Sequence, residues 1–174
     1  MSAKTIRDID VIRTFVLQGT LNFTRYFFKI RQKRKFVVGK HHREIAAALD
    51  KVLCGEITRL IINIAPRYGK TELAVKNFIA EGLAINPKAK FIHLSYSDDL
   101  ARDNSRGVQD IINEPEYRRI FPATIPTSTN TKKWYTTEGG GLYAVSSAGQ
   151  VTGFGAGLVD EEELSLIHIS EPTR

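Results

Sequence analysis

Residues 60–72 run Leu60-Ile61-Ile62-Asn63-Ile64-Ala65-Pro66-Arg67-Tyr68-Gly69-Lys70-Thr71-Glu72. An apolar run, a tight turn, then Gly-Lys-Thr opening a helix is the order a nucleotide-phosphate loop needs. The run predicts a buried strand. Its carboxyl end would then carry the turn, where open α/β sheets bind ligands. A helix starting at the turn aims unpaired N–H groups and roughly half a positive charge at it. In such a loop Lys70 reaches the β/γ-phosphates, the Thr71 hydroxyl ligates Mg²⁺, and Gly69 lets the backbone approach the phosphate closely. The full pattern has a glycine five positions before Gly69, and here that residue is Ile64. The competing reading is an ordinary strand-to-helix turn with a solvated lysine. Arg67 is a second cation in the loop, free to meet phosphate or water.

At 174 residues the chain has the length of one domain with a sizeable core. Its hydrophobic and charged fractions, 42% and 25%, fit a globular chain. No apolar run approaches the length that spans a membrane, and the polar start is unlike a signal peptide. The single cysteine, Cys54, excludes an internal disulfide, fits a reducing compartment and is expected in the core. A net charge of +6 favours a polyanionic partner without deciding the matter.

Working outward from the loop, residues 5–17 carry Ile6, Ile9, Ile12 and Val16 at helical spacing. Residues 23–36 interleave aromatics with bases: Phe23, Arg25, Tyr26, Phe27, Phe28, Lys29, Arg31, Lys33, Arg34, Lys35 and Phe36. They suit either a grip on nucleic acid or a helix with one apolar face and snorkelling cations. Residues 41–53 predict an amphipathic helix with Gly55 past its end. His41 and His42 open that helix. Being adjacent, they are not expected to share a face, and no metal site is expected there.

Beyond the loop, Leu73, Ala74, Phe78, Ile79 and Leu83 predict a helix ended by Asn86-Pro87. Residues 91–96 then predict a strand, parallel to 60–64 through a right-handed crossover. Ser97, Asp98 and Asp99 cap a further helix over Leu100, Ala101, Val108, Ile111 and Ile112, which Glu114-Pro115 ends. Residues 122–131 read as loop. Residues 134–137 and 142–146, around Gly139-Gly140-Gly141, predict an antiparallel hairpin. Gly153-Phe154-Gly155-Ala156-Gly157 is too glycine-rich for a strand.

So arranged, the chain resembles the ATPase domain of the large terminase subunit, the DNA-packaging motor of tailed bacteriophages. The resemblance rests on His41-His42-Arg43-Glu44-Ile45, Gly55-Glu56-Ile57, Pro66-Arg67-Tyr68-Gly69-Lys70-Thr71-Glu72 and His93-Leu94-Ser95-Tyr96-Ser97. It continues through Leu100-Ala101, Tyr117, Phe121-Pro122, Trp134, Gly140-Gly141 and Val151-Thr152-Gly153-Phe154-Gly155. The family's loop also lacks the first glycine. The resemblance covers roughly residues 36–157.

It implies an α/β, P-loop NTPase-like (additional-strand) fold: a parallel-core sheet flanked by helices, carrying the antiparallel hairpin and incomplete at the C-terminus. It implies a basic, aromatic helical segment over 1–40 and a partial ATPase domain over 41–163. The implied activity is Mg-ATP hydrolysis coupled to packaging of double-stranded DNA. ATP and Mg are the implied cofactors, and the host cytoplasm the implied location. The implied partners are double-stranded DNA, the small terminase subunit, the portal protein and further copies in a ring. Arg67 and Lys70 become the catalytic residues. Pro66, Arg67, Tyr68, Gly69, Lys70, Thr71 and Glu72 hold the nucleotide, Thr71 holds Mg, and His41 or Arg43 would lie near the base.

The family next has a longer apolar strand ending in paired acids. Here Leu158-Val159 precede Asp160-Glu161-Glu162-Glu163, which reads instead as a solvated acidic loop. The last eleven residues, 164–174, look like a translated sequencing adapter and are set aside from the fold reading; the competing reading is a genuine strand over 164–169. The natural chain is then expected to continue past Glu163, into the acidic motif and a nuclease domain. The chain as it stands is expected to bind nucleotide weakly and hydrolyse it hardly at all. The other classes that fit are a different P-loop DNA translocase or helicase-type ATPase, or a nucleic-acid-binding fragment that does not hydrolyse.

Overall fold

The computed structural model describes residues 3–146 and 165–170, with side chains described over 8–146. Three helices come first: α1 (Ala3–Val16), α2 (Thr20–Gln32) and α3 (Lys40–Leu53). A helix then opens at Lys70. It passes through a π-helical stretch, Glu72–Asn77, and runs straight into α4 (Phe78–Ile85). The chain continues through β1 (Lys90–Ser95), α5 (Asp98–Asn113), α6 (Pro115–Ile120), β2 (Lys133–Tyr135) and β3 (Gly141–Ser146). The fold is mixed α/β. No helix among the described residues is long and apolar enough to cross a membrane.

The helical run after the loop is the centre of the core. Leu73, Ala74 and Val75, then every residue from Phe78 to Ala84, are buried, so no face is left for water. Such a helix needs partners all round. From α2 come Phe23 and Phe27, which with Tyr117 and Phe121 make a ring cluster at centroid spacings of 4.6 to 6.3 Å. From α5 come Val108, Ile111 and Ile112. The mixed aromatic–basic stretch is thereby explained. Its aromatics at 23 and 27 face the core, while Arg25, Lys29, Lys33, Arg34 and Lys35 are exposed. Polar groups lock the same helix: the Tyr117 hydroxyl donates to the Ala80 carbonyl at 2.8 Å, and that of Thr124 to the Leu83 carbonyl at 3.0 Å.

The sheet differs from expectation. Residues 60–64 form no strand and have no ladder partner among the described residues. Leu60 and Ile62 lean on the core, Asn63 is exposed and Ile61 is 95% exposed. The period-2 alternation of a strand is present without the pairing, because pairing is a non-local event that periodicity does not encode. The parallel partner of β1 is β3, in register from Lys90↔Gly141 to Ser95↔Ser146. The hairpin is as expected, with β2 antiparallel to β3 and Trp134 opposite Leu142.

To this three-stranded sheet a further strand, β4 (Ser165–Ser170), adds in parallel on the free side of β1. Residues 165–170, set aside above with the rest of the tail, thus pair with the sheet as the competing strand reading has it. An apolar, β-branched run such as Leu166-Ile167-His168-Ile169 takes an open sheet edge whatever its origin. Cys54 is also corrected: it lies one residue past α3 and is exposed. The glycine-rich stretch 153–157 and the acids at 160–163 lie outside the described residues.

The helix ends are closed as the residue types require. Ser97 accepts the Leu100 N–H at 3.3 Å, and Asp98 accepts the Ser146 N–H at 3.0 Å, tying the start of α5 to the end of β3. Gly19, ahead of α2, has no side chain with which to cap it. Asp50 of α3 does so instead, accepting from the Thr20 N–H at 2.8 Å and the Thr20 hydroxyl at 2.7 Å. A Cβ at Gly19 would lie 2.8 Å from Asp50 Oδ2.

Glu81, on α4, is 1% exposed beside this pair. Burial, opposed by the Thr20 hydroxyl and reinforced by the negative Asp50, pushes its pKa up to about 8, so the carboxyl holds its proton at neutral pH. The folded protein keeps a proton that the unfolded chain loses near pH 4.5. The stability due to this group is full below that pH and is lost as pH rises towards about 8. Between pH 5 and 8, Glu81→Gln should therefore gain urea resistance relative to the native chain as pH rises. Parallel pH profiles for the two proteins would show Glu81 to be ionised in the fold.

Candidate functional site

The loop 66–71 is built from the helix it precedes. The first helical bond runs from the Leu73 N–H to the Gly69 carbonyl at 3.0 Å. The amides of Lys70, Thr71 and Glu72 come before that bond, as at any helix start. Two residues carry positive φ, Arg67 at 68° and Gly69 at 74°. Glycine takes that conformation freely, whereas an arginine holds it against a cost of order 1–3 kcal/mol. The turn is thus held in shape by its surroundings.

Those surroundings are aromatic. His42, on the first turn of α3, is 7% exposed and spans two backbone groups. Its Nδ1 accepts the Gly39 N–H at 2.9 Å, and its Nε2 lies 2.9 Å from the Tyr68 carbonyl. The first contact fixes the tautomer: Nδ1 is bare, so Nε2 carries the proton and donates it to Tyr68. His41 packs against it with the rings tilted by 44° at a centroid distance of 3.8 Å, its Nε2 3.2 Å from that of His42. The two adjacent histidines do meet, contrary to expectation, since the first helical turn has no preceding turn to separate their side chains. Ring contacts run onward from His41 to Tyr68 (5.4 Å), and from His42 through Phe36 (4.9 Å) to Phe28 (5.2 Å). Burial, then the neighbouring His41, hold the His42 pKa below its ordinary value against the opposing pull of the Tyr68 carbonyl.

The other loop residues stand as follows. Pro66, Arg67, Tyr68 and Thr71 are exposed, and Gly69 and Lys70 are half-buried. Glu72 is turned into the protein: its carboxylate meets Arg31 of α2 at 2.9 Å and Asn77 Nδ2 at 3.0 Å. Only 10% and 18% of the Arg31 and Glu72 side chains are exposed, so this ion pair is shielded from solvent. Asn77 also donates to the Glu72 carbonyl at 2.7 Å, while the Phe78 N–H reaches five residues back to Leu73. The helix behind the loop is widened there, and such π-helical stretches occur often at functional sites. Arg43 is exposed on α3.

Sequence reasoning placed the helix start at Gly69-Lys70-Thr71 and missed the side chains that hold the turn before it. The Arg31–Glu72 pair, 41 residues apart, and the π-helical stretch have no local signature. For His42 the available signal was a polar aromatic residue three positions after a glycine at a helix start, a half capping box. Comparison with known protein families, with curated proteins and with solved structures returns no match for this chain.

A Cβ at Gly69 would stand 2.8 Å from His42 Nε2 in a backbone conformation that side chains disfavour. Gly69→Ala should therefore destabilise the protein by about 1–3 kcal/mol in urea titrations. Gly55→Ala is the matched control, because its φ is also positive, at 76°, while its Cβ meets nothing within 4 Å. An equal loss in both variants would mean that strain alone, without the His42 contact, sets the cost.

Proposed function

We propose that the loop 66–71 binds the phosphates of a nucleoside triphosphate, as part of the ATPase motor of a phage-type large terminase subunit that packages double-stranded DNA. The observation that carries this reading is the placing of Gly69-Lys70-Thr71 at the start of a buried helix. There a left-handed glycine is followed by three amides that precede the first helical bond. That geometry suits an anion.

The residues present fit a triphosphate. The amides of Lys70, Thr71 and Glu72 bind phosphate oxygens, helped by the helix dipole. Lys70 supplies a point charge on the β/γ-phosphates, and its half-burial strengthens that charge relative to open water. Arg67, exposed on the outer side of the turn, reaches the terminal phosphate and stabilises charge that develops there. The exposed Thr71 hydroxyl is the metal donor that the described residues offer. Acids that would complete a Mg²⁺ site fall outside them. When bound, Mg·ATP supplies a phosphoanhydride whose transferring group is already charge-neutralised by the metal. Tyr68 and His41 flank the loop with rings, and the exposed cations of α2 offer the DNA backbone a positive face.

The test is binding of a fluorescent ATP analogue with Mg²⁺ to the chain and to Lys70→Ala. Loss of the lysine removes a charge-assisted contact, so affinity should fall roughly ten- to a hundredfold while the melting temperature stays within a few degrees. Equal affinity in the two proteins would remove the phosphate reading. DNA retention indifferent to both nucleotide and Lys70→Ala would favour a binding fragment over a motor.

A further inference from the structure

We propose that His42 is a positioning residue for the phosphate loop, clamping the Tyr68 carbonyl through its Nε2–H and so setting the turn between Arg67 and Gly69. The inference rests on the phosphate-binding reading for its consequence, though not for the clamp itself. Among the described hydrogen bonds, the one from His42 to the Tyr68 carbonyl, at 2.9 Å, is what ties the backbone between residues 58 and 68 to another element. The anchor comes from a side chain that is itself fixed at both ends. Gly39 N–H dictates the tautomer from one side, while Phe36 and His41 hold the ring plane from the other.

The space is fitted as well as the bond. A Cβ on Gly69 would lie 2.8 Å from His42 Nε2 and 3.5 Å from the Phe36 ring, so imidazole and glycine backbone are in contact. Gly69 is the residue whose carbonyl receives the first helical bond, and the next three amides precede that bond. His42 therefore touches no phosphate and acts through the loop.

The two jobs of the imidazole can be separated. An asparagine amide occupies the place of Nδ1 and keeps the Gly39 contact. A glutamine amide reaches the place of Nε2 and keeps the Tyr68 contact. In the full-length chain, His42→Asn should raise the rate of trypsin cleavage after Arg67 and Lys70 about three- to tenfold and weaken the fluorescent ATP analogue by a similar factor. His42→Gln should bring both back towards the native values. A purely structural role in capping α3 predicts the reverse order, with His42→Asn nearer native. That order, or no difference between the variants, overturns the proposal.

If the cleavage order appears but no protein binds the analogue, the clamp stands and the phosphate reading fails. If the native chain binds but neither order appears, the clamp alone fails. Should His42→Asn not fold, the native protein still gives an answer by nitrogen NMR. A protonated Nε2 with bare Nδ1 on His42 is expected, and the opposite tautomer would refute the clamp.

Discussion

A helix with no polar face imposes its surroundings. The run that begins at Lys70 and ends at Ile85 is buried on nearly every side, so other elements have to close over it. α2 does this with Phe23 and Phe27, α5 with Val108, Ile111 and Ile112, and α6 with Tyr117. Replacing a buried Phe of this kind by Ala typically costs 3–5 kcal/mol, which is a large share of the stability of a domain. Tyr117 and Thr124 then hydrogen-bond the carbonyls of the same helix. Its N-terminus is thus fixed in space by packing that has nothing to do with a ligand. The loop inherits that position.

What the core fixes at one end, side chains fix at the other. Glu72 is held by Arg31 and Asn77, and the Tyr68 carbonyl by His42. Arg31 belongs to α2, the helix whose outer face carries Arg25 and Lys29. A cationic surface and the helix start behind the loop 66–71 are therefore joined through one shielded ion pair. Removing one partner of such a pair leaves the other charge poorly compensated, so the pair resists independent movement of the two elements.

Much of this was legible in the sequence because it depends on local chemistry. Gly-Lys-Thr before an apolar run marked the helix start, Ser97 and Asp98 marked the next one, and the glycines at 139–141 marked the hairpin. The apolar spacing of α1, α3 and α5 gave their extents to within a few residues. Failures came where partners far apart in sequence decide the outcome. The residues 60–64 have the composition of a strand yet find no ladder, whereas 165–170 find one on β1. Cys54 was expected inside on the average behaviour of cysteine, but its place just beyond a helix end leaves it exposed. At the site, the loop was read from type and spacing. The His42 clamp was not, because a histidine at a helix start gives no sign of which carbonyl it will meet 26 residues later.

The most direct test of the account is amide hydrogen exchange along the chain with and without Mg·ATP. The account predicts that nucleotide slows exchange at residues 68–73, where amides precede or begin the helix, with little change in the already protected core of α4. Unchanged exchange at 68–73 under saturating nucleotide, or protection confined to another part of the chain, would contradict it.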